Sequence, residues 1–287
     1  MNRRTLLRGL AAGLGASLLG GAPVAAAIGH DSLRIGLTPV FLDDQLAFLE
    51  RWRAYLERQM ERPVAFVQRS SYREITELLL TGGLDCAWLC GYPYVRHRER
   101  LQLVVTPLYR GRPQYQSLLI VGERDRRTRE LPDLEGRVFA YADPLSNSGW
   151  LVPQAQIRLY GKDPAFFFRR SFFAWSHRNV VEAVAVGLAD GGAVDSYVWE
   201  ALEVLHPELT SRTRVVQRSD AFGFPPIVAR QDLDALALRE FKCVLMAMSE
   251  TDTGRALLNE LFLDAFTSPD QDLYEGIRAL MQQAGLS

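Results

Sequence analysis

From Leu33 onward, short apolar runs alternate with segments whose apolar residues recur at helical spacing. Leu33-Arg34-Ile35-Gly36-Leu37 reads as a buried strand ending at Thr38-Pro39. Leu42, Leu46, Leu49, Leu56 and Met60 then mark one face of a helix that starts near Asp43. Val64-Ala65-Phe66-Val67 is the next strand. Ser71 with Glu74 forms a capping-box signature for a helix through Leu80, which Gly82-Gly83 ends. Residues 84–90 are expected as a third strand and 103–105 as a fourth. A second series begins near Tyr115, with strands at 116–121, 138–141, 171–174 and 193–197. Asn179 is the expected cap of a helix carrying Val181, Val184, Ala185 and Leu188. Residues 214–216 and 227–229 add strands, and the tail from Asp234 is helical, with Leu257, Leu258, Leu261 and Phe262 on one face. Strands alternating with helices imply an α/β fold with mostly parallel sheets covered on both faces.

The two series echo each other. A helix followed by Gly82-Gly83-Leu84-Asp85-Cys86-Ala87-Trp88 parallels a helix followed by Gly191-Gly192-Ala193-Val194-Asp195-Ser196-Tyr197. Two lobes of similar build, each ending a strand at a shared cleft, would explain the echo. Ligands in open α/β sheets sit beyond the carboxyl ends of strands, so Tyr92, Asp195 and Tyr197 become cleft candidates. Asp195 reads equally as a turn residue.

The most chemically suggestive stretch is Asp143-Pro144-Leu145-Ser146-Asn147-Ser148-Gly149-Trp150, between the strand at 138–141 and a helix expected over 151–160. The first N–H groups of a helix have no internal partner and carry partial positive charge, which suits an anion. Ser146 and Ser148 add hydroxyls, Asn147 adds an amide, and Gly149 allows close approach to the backbone. The plainer alternative is that one serine only caps the helix.

Composition narrows the class. The chain has 287 residues, 48% hydrophobic, with a formal net charge of −1, so no basic surface argues for nucleic acid. Residues 1–27 combine Arg3-Arg4, an apolar Gly/Ala-rich run and Ala25-Ala26-Ala27, a pattern that resembles a cleaved twin-arginine export signal. Its removal takes away Arg3, Arg4 and Arg8 and no acid, leaving 30 bases against 34 acids, a net charge of −4. A periplasmic location is expected. Cys86, Cys90 and Cys243 are an odd number, and a strand carrying both Cys86 and Cys90 would hold their Cα atoms roughly 13 Å apart, beyond disulfide reach. His30, His97, His177 and His206 form no metal-spaced pair, and no Walker loop, dinucleotide fingerprint or Gly-x-Ser-x-Gly elbow occurs in the mature chain. No cofactor, no metal and no enzymatic activity are expected.

Taken in order, the strand at Leu33–Leu37, Tyr72 at a helix start, Asp85 through Tyr94, Tyr115-Gln116-Ser117, Asp143 through Gly149 with Val152-Pro153, Ser176-His177 and Asp195-Ser196-Tyr197 resemble the phosphonate/phosphite/phosphate-binding proteins of ABC importers. The resemblance implies a two-lobed type 2 periplasmic binding protein fold, with two crossover segments and a ligand cleft between the lobes. Lobe 1 would take residues 28–112 and 218–287, and lobe 2 residues 113–217. It also implies that Ser146, Asn147, Ser148 and Gly149 hold an oxyanion, with Asn147 where threonine is usual. Tyr72, Tyr92 and His177 would complete the shell, Tyr115, Tyr197 and the unusual Cys90 would border it, and Asp195 would stand near the position that reads an amine. A histidine beside a bound anion is expected to be held as imidazolium. The implied partners are a small phosphorus oxyanion and the membrane permease of an importer, with the chain itself a monomer. The alternative is a sensory subunit that hands an oxyanion such as arsenite to a histidine kinase.

Overall fold

The structure, a computed structural model, describes residues 32–39, 46–268 and 270–286. The export signal read at 1–27 and the helix start expected near Asp43 lie outside the described residues. The first elements are β1 (Leu33–Leu37), α1 (Leu46–Met60), β2 (Val64–Gln68), α2 (Tyr72–Leu80), β3 (Cys86–Trp88), α3 (Gly91–Arg96) and β4 (Leu101–Leu108). A second group follows: β5 (Gln114–Gly122), β6 (Val138–Tyr141), α4 (Val152–Leu159), α5 (Pro164–Phe167), β7 (Arg170–Phe173), α6 (His177–Ala185), β8 (Gly191–Asp195), α7 (Ser196–Leu205), α8 (Pro207–Thr210) and β9 (Thr213–Gly223). The chain then closes with β10 (Ile227–Arg230), α9 (Ala235–Met246), α10 (Asp252–Glu260), β11 (Ala265–Thr267) and α11 (Glu275–Gln283).

Two sheets result. The first has the order β11-β4-β10-β3-β1-β2 and the second β7-β6-β8-β5-β9. They are more mixed than alternation alone implies. The β1–β2, β1–β3, β6–β7 and β6–β8 pairs are parallel, whereas β10 runs antiparallel to β3 and β4, β11 to β4, and β5 to both β8 and β9. The cause lies in how the chain changes sheets. It crosses from β4 to β5 through a tight turn at Tyr109–Arg112, where Arg110 and Gly111 take positive φ, and returns from β9 to β10 through Phe224-Pro225-Pro226. Strand-to-strand crossings without a helix do not restore direction as a βαβ unit does.

Local chemistry sets the element ends. Ser71 Oγ accepts the Glu74 N–H at 3.3 Å and starts α2. The α6 cap is Ser176, whose Oγ accepts the Asn179 N–H at 3.1 Å, so the cap lies three residues before the expected Asn179. The third strand ends at Trp88, and Cys90 sits at the start of α3 rather than inside a strand; all three cysteines are free thiols. On α1, Phe48, Trp52, Tyr55 and Leu56 are buried, with Trp52 5.0 Å from the Phe66 ring. Each such side chain removed from water contributes about 1.5–3 kcal/mol. A continuous apolar core spans both sheets, and a smaller cluster around the stacked Phe139 and Phe168 (4.3 Å) fills the second sheet's other face.

At the amino end of β3, Asp85 accepts the Arg34 backbone N–H at 2.9 Å and the Arg34 guanidinium at 2.8 Å, with Arg230 Nε 3.4 Å away. This clasp ties β1, β3 and β10 together. Burial alone would raise the Asp85 pKa, but the Arg34 hydrogen bonds outweigh it and hold the carboxyl below its ordinary range. Stability from this group is present above the unfolded carboxylate pKa and is lost as pH falls through the depressed folded value. Asp85→Asn is expected to lower stability by about 2–3 kcal/mol in urea denaturation at pH 7, with the deficit shrinking below about pH 4.

Candidate functional site

The carboxyl ends of β1, β3, β6 and β8 converge where the two sheets meet. Between them lies a small, largely enclosed cavity of about 30 Å³. Leu37, Thr38, Trp88, Phe224 and Pro225 form much of its wall, and Tyr72, Cys90, His177, Asp195 and Tyr197 complete it. The first five went unnoticed in the sequence as site residues. Their signal was positional: Thr38 follows one strand, Trp88 ends another, and Phe224-Pro225 is the return crossing.

The Ser146 turn is built behind this wall. Ser146 Oγ accepts the Gly149 N–H at 2.9 Å, and the next bonds are widened by one residue, Leu151 N–H to Ser146 O (3.0 Å) and Val152 N–H to Asn147 O. The regular helix expected from 151 therefore begins at Val152, after a π-type turn over Asn147–Leu151. Ser146, Asn147 and Ser148 are fully buried and do not line the cavity. Gly149 is required by packing: a Cβ there would lie 2.4 Å from Ala142 Cβ.

The polar atoms of the turn are only partly matched. The Asn147 N–H donates to Cys90 Sγ at 3.2 Å, and Asn147 Nδ2 donates to the Tyr115 hydroxyl at 3.0 Å. The Ser148 carbonyl accepts the Ser117 hydroxyl at 2.7 Å. Asn147 Oδ1 and Ser148 Oγ, both buried, have no hydrogen-bond partner. Thiol sulfur is a weak acceptor, so the Asn147 N–H is poorly satisfied as well. Burial pushes the Cys90 thiol up to about 11, which keeps it protonated.

His177 joins the turn to β8. Its Nδ1 accepts the Asp195 backbone N–H at 3.2 Å, which leaves the ring proton on Nε2, 3.4 Å from Ser146 Oγ. Burial pushes the imidazole down to about 3, so it is neutral in the ligand-free protein. Asp195 Oδ1 accepts the Tyr197 N–H at 2.8 Å and caps α7, while burial raises its carboxyl to about 7. It is thus both the helix-turn residue and the cavity residue that the sequence left open. Ser146, His177 and Asp195 are neighbours without forming a catalytic triad. The ring faces the Asp195 backbone instead of its carboxylate, and a proton on Nε2 cannot be replaced by one from Ser146.

The remaining candidates divide between wall and support. Tyr72 opens α2 on the cavity wall. The Tyr197 hydroxyl donates to Leu261 O at 2.6 Å, and its ring packs 5.0 Å from Phe224, so it presents ring rather than hydroxyl. Tyr92 is buried against Trp150 at 6.0 Å, outside the cavity lining, and Tyr115 sits behind Cys90 with its pKa raised well above normal by burial. No Lys or Arg among the described residues lines the cavity. Among the described residues no cluster of His, Cys, Asp and Glu could hold a metal ion, and no helix is long and apolar enough to cross a membrane.

Two sheets joined by two crossings, with a largely enclosed cavity at their meeting strand ends, define a two-lobed ligand-binding protein of the type 2 periplasmic binding protein fold. A family model described as "ABC transporter, phosphonate, periplasmic substrate-binding protein" matches residues 35–274, and the chain belongs to that family. Among solved structures, the chain is similar to a binding protein component of an ABC phosphonate transporter from Pseudomonas aeruginosa, with TM-score 0.80 and 21% identity over 89% of this chain and 87% of the other. It is also similar to PhnD1 of Prochlorococcus marinus in complex with methylphosphonate, with TM-score 0.79 and 18% identity over 90% and 99% of the two chains. The phosphate-import protein PhnD of Mycolicibacterium smegmatis is 30% identical over 156 residues, which is 50% of this chain and 48% of that relative, so the match spans about half the length of each.

The two buried ionisable groups predict opposite pH effects on folding. His177, depressed below its unfolded value, contributes stability above about pH 6.5 that is lost as pH falls toward 3. Asp195, raised to about 7, contributes stability below about pH 4 that is lost as pH rises through 7. Asn also caps helices, so Asp195→Asn removes the buried charge and keeps the cap. Thermal denaturation is expected to place this variant about 4 °C or more above wild type at pH 8, with the gap closing toward pH 4–5.

Proposed function

We propose that this chain is a periplasmic solute-binding protein that captures a small phosphorus oxyanion, a phosphonate, phosphite or phosphate, and delivers it to the permease of an ABC importer. It acts as a monomer, exported by the signal at 1–27, with one lobe from 28–112 and 218–287 closing on another from 113–217. The observation that carries this function is the buried turn at Ser146–Gly149, where the Ser148 hydroxyl, a donor, is unpartnered and a thiol takes the Asn147 N–H. An oxyanion oxygen is a far better acceptor than sulfur. On binding, it takes over the Asn147 N–H, and the Ser148 hydroxyl and His177 Nε2–H donate to the remaining oxygens. The family's phosphonate description, and the methylphosphonate bound by the Prochlorococcus relative, support the ligand class. The sensory alternative draws no support from these relatives.

Charge at the site follows Asp195. Below about pH 7 its neutral carboxyl can donate a proton to the anion, and above it the carboxylate repels. Calorimetry with methylphosphonate, phosphite and phosphate is expected to show micromolar or tighter binding of at least one of them. Affinity should fall roughly tenfold between pH 6 and 8. His177→Gln should weaken binding yet keep this slope, because the imidazole is neutral throughout, while Asp195→Asn should flatten it. Comparing variants with one ligand cancels the ligand's own ionisation. Binding of none of the three anions at pH 6 would overturn the function, and an unchanged slope in Asp195→Asn would overturn the protonation account.

A further inference from the structure

The carboxylate of Asp143 spans the cleft. Asp143 follows β6 in the second sheet's half of the molecule, whereas Tyr72 opens α2 beside the first sheet. Asp143 Oδ1 accepts the Leu145 N–H at 2.7 Å and shapes its own loop, and Oδ2 accepts the Tyr72 N–H at 3.1 Å. Asp143 is 1% exposed and Tyr72 2%. Tyr72 N–H is the first N–H of a helix and lies at the positive end of its dipole, so an acidic oxygen from the opposite side is a favourable partner for it. The Asp143 carbonyl also accepts the Ser146 N–H at 2.9 Å, which places the carboxylate three residues ahead of the turn proposed to hold the oxyanion. Tyr72 itself lines the cavity.

We propose that Asp143 is a positioning residue that latches the two lobes together, one oxygen setting the Ser146 loop and the other gripping the start of α2 when the cleft closes. The latch couples loop and lobe. A loop held correctly by Oδ1 presents Oδ2 to Tyr72, and separation of the lobes breaks only the second bond. Other contacts cross between the halves, among them the Asn147 N–H to Cys90 Sγ, the Tyr92–Trp150 stack, the Tyr197 hydroxyl to Leu261 O and the Glu200 carboxylate with the Tyr109 hydroxyl (2.6 Å) and Arg110. The Asp143–Tyr72 bond differs from these in setting an ionisable carboxyl against a helix N-terminus. Its breakage on opening is therefore costly and its re-formation on closing favourable.

The inference rests on the binding function only for its ligand-dependent arm. Asp143→Asn keeps the acceptor that makes the loop turn, since Asn forms the same turn, and sets an NH2 group against Tyr72 N–H in place of an oxygen. Asp143→Ala removes both bonds. Small-angle X-ray scattering of the protein with no added ligand, together with stopped-flow release of methylphosphonate, separates the two roles. The expected result is a larger radius of gyration, faster release by about tenfold, or both, in Asp143→Asn, with its thermal denaturation midpoint close to wild type. Identical radii and identical release rates for Asp143→Asn and wild type, with impairment confined to Asp143→Ala, would reduce Asp143 to a loop former and overturn the proposal. If wild type fails to bind methylphosphonate, the binding function fails on that arm while the radii still decide the latch.

Discussion

A polar turn buried this deeply must find its hydrogen-bond partners inside the protein, and the centre of this molecule is arranged around that requirement. The widened turn after Ser146 lies at the carboxyl ends of buried strands, where each unmatched N–H or hydroxyl carries the full cost of its desolvation. Most of its groups are matched from both halves of the chain: Ser146 with Gly149, Ser148 with Ser117, Asn147 with Tyr115 and with Cys90. Two atoms are left over, and one N–H is given only a sulfur. Native interiors rarely tolerate such a deficit, and functional sites are where it is kept.

The same burial governs charge. It drives His177 and Asp195 toward neutrality from opposite sides, one down to about 3 and the other up to about 7, so near pH 6 His177 is neutral and Asp195 mostly so. An anion would therefore be held by oriented dipoles and donated protons, as at other sites that lack a basic cluster. Neutral donors desolvate more cheaply than ammonium or guanidinium groups, which fits a cavity whose walls include Leu37, Trp88, Phe224 and Pro225.

Much of this was legible before the structure. Alternating apolar runs located strands and helices, because helical spacing and strand length are local properties. The Ser146–Gly149 turn was found for the same reason: strand, polar loop and helix start are contiguous. Strand direction was not legible, since the crossings at Tyr109–Arg112 and Phe224–Pro226 are set by how two sheets pack. The roles of Gly149, Tyr92 and Tyr197 also shifted, because each is decided by a distant partner: Ala142 Cβ, the Trp150 ring and the Leu261 carbonyl. The burial that keeps His177 neutral in the ligand-free protein likewise has no local trace. Asp143 stood first in the most suggestive stretch, yet its bond to a residue 71 positions away has no local trace.

Ser148 tests the central claim most directly, because its hydroxyl is buried and unpartnered without ligand. Replacing it with alanine removes at most a weak contact with the neighbouring Tyr115 hydroxyl. Urea denaturation and calorimetry on Ser148→Ala should therefore diverge. The ligand-free protein should be as stable as wild type or slightly more so, while affinity for methylphosphonate should fall by about 1.5–3 kcal/mol, roughly tenfold or more. Unchanged affinity in a protein of unchanged stability would contradict the account, since the unpartnered hydroxyl would then have no ligand to meet.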